Sequence, residues 1–354
     1  MKLLIITQKV DKNDPILGFF HRWIIEFAKH ADHISVICLE QGEYDLPKNV
    51  TVYSLGKELS ADLRGLARGL ARTKYLIQFY RHIWSLRNNY DTVFVHMNQE
   101  YVLLGAPLWK LLRKKITMWR NHHFGTIFTR IAVFCSDVVF CTSKYSFTAQ
   151  FKKTVFMPVG IDTDYFHRDK SIERKNKSVL FLARMSPVKK PQLVMESLHR
   201  LNETGTDFTA DFYGDSLSKD APYLASLKEK VKEYALGDCV AFKNSIPNHE
   251  TPHVYARHDI FINASPSGMY DKTIFEAMAC ESLVLTSNLN LKGQVDDMFI
   301  FKENNDEDLS RKLKSLLELD IEVKEKYGTI LRTHVIDQQS LTLLARTLFK
   351  HLTL

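Results

Sequence analysis

Residues Ser265 to Cys280 read Ser-Pro-Ser-Gly-Met-Tyr-Asp-Lys-Thr-Ile-Phe-Glu-Ala-Met-Ala-Cys, and the apolar run Ile260-Phe261-Ile262 leads into them. This order predicts a strand, a loop of small residues and a helix opening near Lys272. The free amides of a helix start, at the positive end of its dipole, favour an anion in front of them. Upstream, the apolar run Ser178 to Leu182 ends in Arg184-Met185-Ser186-Pro187-Val188-Lys189. Arginine forks to two phosphate oxygens and lysine acts as a point charge, so Arg184 and Lys189 with the helix start suit a diphosphate. The bland reading is two solvated cations on a turn made by Ser186-Pro187. Glu276, one turn into the helix among Ile274, Phe275, Ala277 and Met278, is a carboxylate in apolar company and needs a partner. It suits two adjacent hydroxyls, as on a ribose.

The elements that must position these residues alternate along the chain. Strands are predicted at Leu3–Ile6, Ile34–Leu39, Val50–Tyr53, Thr92–Val95, Ile116–Trp119, Val138–Cys141 and Thr154–Met157. Amphipathic stretches at Phe20–His30, Leu59–Asn88, Glu100–Leu112 and Thr126–Phe134 lie between them. After a charged, Gly- and Pro-marked stretch, strands resume at Val179–Ala183, Phe208–Tyr213, Val240–Phe242, Ile260–Asn263, Leu283–Thr286 and Met298–Phe301. Their helices are Lys190–Asn202, Ala221–Ala235, Glu250–Ala256, Thr273–Cys280, Glu307–Leu317, Ile321–His334 and Asp337–Leu352. Such alternation gives parallel sheets wrapped on both faces, with ligands beyond the carboxyl ends of the strands. The domains are expected at 1–158 and 178–335, joined by a linker at 159–177, with 336–354 a helix crossing back to the first domain.

A chain of 354 residues suggests two domains. No apolar run reaches the length of a membrane span, and the short opening Leu3–Ile6 reads as a buried strand rather than a leader. The five cysteines are scattered without metal-ligand spacing, as expected of reduced thiols in a cytoplasmic protein. Residues 1–170 hold 24 Lys and Arg against 15 Asp and Glu, so an acidic partner for the first half is plausible. The basic, apolar-interleaved stretches 63–84 and 109–116 read as solvated helix faces or as peripheral contacts with anionic membrane. No nucleic-acid motif, Gly-x-Gly-x-x-Gly or phosphate loop with Gly-Lys-Ser/Thr is present.

Arg184, Lys189 and Glu276-Ala277-Met278-Ala279 resemble the C-terminal half of the retaining glycosyltransferases of family four, with the GT-B fold. That family carries Gly-Arg-x-x-x-x-Lys on the first strand of its second domain and a Glu, seven residues, then Glu-Ala-Met-Ala before a helix. The opening Lys2–Thr7, Pro158-Val159-Gly160-Ile161-Asp162 and the closing Gln339–Ala345 extend the likeness. The resemblance implies two doubly wound Rossmann-like α/β domains facing across a cleft. It implies a cytoplasmic cell-envelope enzyme that moves a sugar from a UDP-, GDP- or ADP-sugar to a glycan or lipid-linked glycan, with retention and with no metal or other cofactor. Arg184, Lys189 and the amides of Lys272 and Thr273 would hold the diphosphate, and Glu276 the ribose.

By the same resemblance His122 (or His123) touches the donor sugar from the first domain, and Gly18 packs against donor phosphate or acceptor unless it marks a plain turn. His96 is a weaker acceptor-side candidate, and His21 and His33 read as ordinary surface positions. The chain departs from the family at Gly268, where the first glutamate should stand, and at Glu281, where glycine usually ends the helix. Amides near Met269 and Tyr270 remain available to a sugar; Asp271 either replaces the missing acid or, as favoured here, caps the helix. The lost glutamate leaves a non-catalytic sugar-nucleotide-binding subunit as the alternative. A GT-B epimerase would need further cleft acids, and a phosphorylase a longer chain. Asp162-Thr163-Asp164 has the letters of a metal site but lies in the linker.

Overall fold

Continuous apolar runs that alternate with amphipathic segments fold here as parallel strands covered by helices. The computed structural model describes residues 1–60, 65–268 and 270–353. It divides into two compact units, residues 161–340 and residues 1–160 with the chain from Leu341 onward. In the first unit, β1 (Lys2–Val10), α1 (Gly18–Ala28), β2 (His33–Gln41), β3 (Val50–Ser54), α2 (Gly65–Ser85) and β4 (Thr92–His96) come first. They are followed by α3 (Gln99–Leu111), β5 (Lys115–Trp119), α4 (Ile127–Cys135), β6 (Val138–Cys141) and β7 (Thr154–Phe156). The sheet order is β3-β2-β1-β4-β5-β6-β7, all parallel.

The second unit runs β8 (Lys175–Leu182), α5 (Pro191–Glu203), β9 (Thr209–Tyr213), α6 (Ala221–Glu233), β10 (Val240–Lys243), α7 (Thr251–Arg257) and β11 (His258–Asn263). Then come α8 (Lys272–Ala279), β12 (Leu283–Thr286), α9 (Asp306–Leu317) and α10 (Ile321–Gln339). Its parallel sheet has the order β10-β9-β8-β11-β12. The last helix, α11 (Leu341–Thr353), belongs to the first unit.

Side chains alternate across a strand, and β1 shows the result. Leu3 and Ile5 enter a core with Phe20, Trp23 and Phe27 of α1 and Leu344 and Leu348 of α11. Leu4 and Ile6 enter a second core, on the other face, with Phe79 and Ile83 of α2 and Trp109 of α3.

The chain passes from one unit to the other at Gly160–Ile161, so residues 161–174, expected as linker, lie with the second unit. Gly160 has φ +76, and a Cβ there would stand 2.6 Å from Leu344 Cδ1. Ile161 N donates to Gln339 O (2.9 Å), beside the return at Ser340. Two element predictions differ from the structure. Residues Asp297–Phe299 form a 3-10 turn, and Ile300 makes one bridge to Thr286 where a strand over Met298–Phe301 was expected. The helix expected to end at His334 runs to Gln339; the break falls at Ser340, whose backbone is extended (ψ 153).

Candidate active site

In the second sheet the strand order reverses between β8 and β11, the topological switch point where open parallel sheets bind ligands. Arg184 follows β8 and is exposed, with no ion pair among the described residues. Lys189, in the 3-10 turn Pro187–Lys189, reaches across to the loop after β11. Its Nζ donates to Asp271 Oδ2 (2.6 Å) and Ser265 Oγ (3.3 Å). Asp271 Oδ2 also accepts from Ser265 Oγ (2.6 Å) and Asn263 Nδ2 (3.1 Å). Burial pushes this carboxyl up, but the Lys189 ammonium and the hydrogen bonds outweigh burial and hold it below the usual carboxylate range. Asp271 sits at the N-cap position of α8, yet its side chain makes no cap bond. The expected cap is corrected: the carboxylate is the counter-ion of Lys189.

Glu276 is 3% exposed. Its Oε1 accepts from Asn248 Nδ2 (3.2 Å) and its Oε2 from the Tyr255 hydroxyl (3.1 Å). One turn earlier, burial pulls the Lys272 ammonium down to about 7, against the opposing pull of the Glu276 carboxylate. Thr273 is half-buried beside it. The Tyr270 ring is buried and meets Phe275 edge-on at 4.8 Å, which anchors the loop before α8. The loop is pinned from the other side, because Ser267 Oγ accepts from Leu289 N (2.9 Å) and Ser267 O from Asn290 Nδ2 (2.7 Å). Met269 lies outside the described residues. Glu281 takes φ +59, the left-handed conformation that usually calls for glycine after a helix.

In the first unit, His122 is exposed beyond the end of β5. Its Nδ1 accepts from Phe124 N (3.0 Å), and its ring stacks on His123 at 4.8 Å. Burial lowers its pKa, as do the charges of Arg120 and His123, against the contact of Nδ1 with Phe124 O (3.2 Å), which raises it. Gly18 opens α1, where an added Cβ would lie 3.0 Å from Lys12 O, and Asp14 Oδ1 accepts from Ile16 N (2.9 Å) and Leu17 N (2.8 Å). Two histidine expectations are corrected. His96 is a core residue, stacked on Phe20 at 3.8 Å with Nδ1 3.2 Å from Thr7 Oγ1. His21 is buried and its Nε2 accepts from Asp45 N (3.0 Å).

Residues 162–333 match the family profile of glycosyl transferases group 1. The match takes in most of the second unit and none of the first. The fold is that of GT-B proteins. Anabaena Alr3699/HepE in complex with UDP superposes with a TM-score of 0.78 at 18% identity, over 100% of both chains. Its complex with UDP-glucose gives 0.77 at 16%, again over 100% of both. The sucrose-phosphate synthase of Thermosynechococcus elongatus gives 0.78 at 14%, over 99% of this chain and 98% of its own. In sequence, the Bacillus subtilis (strain 168) protein YtcC, which bears a provisional glycosyltransferase name, is 26% identical over 137 residues. That alignment covers 37% of this chain and 32% of YtcC, so it spans about a third of the relative.

In the matched unit the structure joins Lys189, Asp271, Lys272 and Glu276 around the start of α8, with Arg184 after the neighbouring strand. Sequence reasoning missed the groups that hold them: Asn263 and Ser265 for Asp271, Asn248 and Tyr255 for Glu276. It also missed Arg120, whose Nη2 donates to Phe124 O (2.9 Å) and so shapes the His122 loop. An arginine straight after a strand was the available signal. Asp162-Thr163-Asp164 is a turn in which Asp162 Oδ1 accepts from Tyr165 N (3.2 Å). Among the described residues, no three His, Cys, Asp or Glu side chains are grouped to hold a metal ion.

Proposed function

We propose that this protein is a glycosyltransferase that moves a sugar from a nucleoside-diphosphate sugar to a hydroxyl of a glycan or lipid-linked glycan. The observation that carries the reading is Lys189 beside the opening of α8 with Glu276 one turn in, at the switch point of a glycosyl transferases group 1 domain. As the sugar leaves, negative charge builds on the departing diphosphate. Arg184, Lys189 and the amides of Lys272 and Thr273 stabilise that charge, a task that needs no divalent cation. Glu276 takes the ribose hydroxyls. His122 contacts the donor sugar from the first unit, Gly18 lets donor or acceptor approach the start of α1, and the acceptor attacks from the face the diphosphate leaves, with retention. The UDP and UDP-glucose bound to HepE favour a uridine donor over GDP- or ADP-sugars. Such donors place the enzyme in the cytoplasm, in keeping with its five free cysteines.

One observation favours a second reading, a non-catalytic sugar-nucleotide-binding subunit. Gly268 supplies no carboxylate, and the nearest acid, Asp271, is engaged by Lys189. The purified chain mixed with UDP-, GDP- and ADP-sugars and envelope lipid separates the two. Nucleotide release that depends on acceptor supports the transferase, whereas tight binding without release from any donor supports the subunit. Arg184→Ala should weaken UDP binding by about tenfold or more; unchanged affinity removes its role.

A further inference from the structure

α4 is built inside out. Its buried side presents Thr129, Ala132 and Val133. Its larger apolar residues face water: Ile127 is 63% exposed, Phe128 58%, Ile131 43% and Phe134 77%. Phe124, just before the helix, is 70% exposed and extends the row. Positions 127, 128, 131 and 134 share one helical face. Lys110 Nζ lies 5.8 Å from the centre of the Phe134 ring, which brings the end of α3 alongside, and there Leu111 is 77% exposed. Single exposed apolar residues are ordinary, but a contiguous stripe of this kind marks an interaction surface.

Charge identifies the occupant. Residues 101–135 carry six Lys and Arg and no Asp or Glu. Lys110 and Arg130 border the stripe, both exposed and each over an aromatic ring. A second copy of this chain docked by a twofold axis would set Lys110 and Arg130 against their own counterparts, with Asp137, just past α4, the nearest acid in sequence. An anionic bilayer satisfies both features, apolar side chains entering the acyl boundary and cations meeting headgroups. At nine residues α4 is far too short to span a bilayer and would lie in its surface.

We propose that α4, with Phe124 and Leu111, docks the protein on an anionic lipid surface. This inference does not rest on the glycosyltransferase reading. It adds a contact to the stretches expected in the sequence. In 109–116, Trp109 and Ile116 are core residues, and only the end of α3 contributes. In 63–84, residues 61–64 lie outside the described residues, and Phe79 and Ile83 of α2 are buried, while Leu70 (67%), Ile77 (63%) and Trp84 (51%) stay exposed.

The test is co-sedimentation of the full chain with vesicles of phosphatidylglycerol or phosphatidylcholine, at low and high salt. The expected result is binding to phosphatidylglycerol that weakens with salt, and little binding to phosphatidylcholine. The double variant Phe128→Ser/Phe134→Ser should lose roughly tenfold or more in vesicle affinity, with thermal midpoint and UDP binding unchanged. Lys110→Gln/Arg130→Gln should lose binding to phosphatidylglycerol alone. Failure of the wild type to sediment with phosphatidylglycerol overturns the proposal, as does undiminished sedimentation of the Phe128/Phe134 variant. So does a dimer in light scattering that the same variant turns into monomer. Sugar-nucleotide turnover plays no part in these readouts.

Discussion

Replacing Lys189 by methionine removes one partner of an ion pair 2.6 Å long whose side chains are 12% and 16% exposed. A buried pair that loses one partner typically costs about 3–5 kcal/mol, because the other charge is left without compensation. Here Asn263 and Ser265 still donate to Asp271, so the expected loss is about 2–3 kcal/mol. In a unit of this size that corresponds to a fall in Tm of about 4–12 °C. Asp271→Asn in the Lys189→Met background removes the stranded charge and should recover at least half of the loss, a coupling read by a double-mutant cycle. Binding should separate the two residues. Lys189→Met should weaken UDP about 10- to 100-fold, whereas Asp271→Asn should leave UDP affinity equal or tighter, since in the proposed binding mode its carboxylate opposes the diphosphate. Calorimetric titration and thermal melting of the four proteins decide the matter. A Lys189→Met protein with unchanged Tm refutes the ion pair, and one with unchanged UDP affinity refutes the role in diphosphate binding.

Three further outcomes are expected. Lys272 is pulled down to about 7 from the ordinary lysine value of 10.5, so above pH 7 the unfolded chain holds a proton that the folded chain lacks. Stability of the free protein should therefore rise from about pH 7 towards pH 10, and UDP binding, which draws the proton back, should weaken over the same window; Lys272→Met should flatten both profiles in melting and titration. Glu276→Gln should weaken UDP about tenfold while leaving inorganic pyrophosphate affinity unchanged, because in the proposed binding mode only the ribose contact depends on that carboxylate. Gly160→Ala should destabilise the protein by about 1–3 kcal/mol in chemical denaturation, since φ +76 disfavours a side chain and the new Cβ meets Leu344.

Much of the fold was legible in the chain itself. The apolar runs at Leu3–Ile6 and Ile260–Ile262 are what a parallel strand covered on both faces requires, and both are such strands. The strand, small-residue loop and helix start around Lys272 were readable for the same local reason, as was a carboxylate at Glu276 that could not remain alone among apolar neighbours. The left-handed turn at Glu281 was marked only by the family's usual glycine at that position, because nothing in a glutamate itself announces it.

Local sequence determined the elements, their order and the residues that share each face, because backbone propensity and side-chain periodicity act over a few residues. Only the tertiary structure decided partners and sides. Asp271 has the residue type and position of a helix cap, and became the counter-ion of a lysine 82 residues away because β8 and β11 lie next to each other. His96 ends its strand as a ligand-facing residue would, and was taken into the core by the Phe20 ring. The stripe on α4 is identical whether it faces a sheet or water, and packing turned it outward. Pairing across strands and the choice of which face to cover are settled by contacts distant in sequence, which no local window contains.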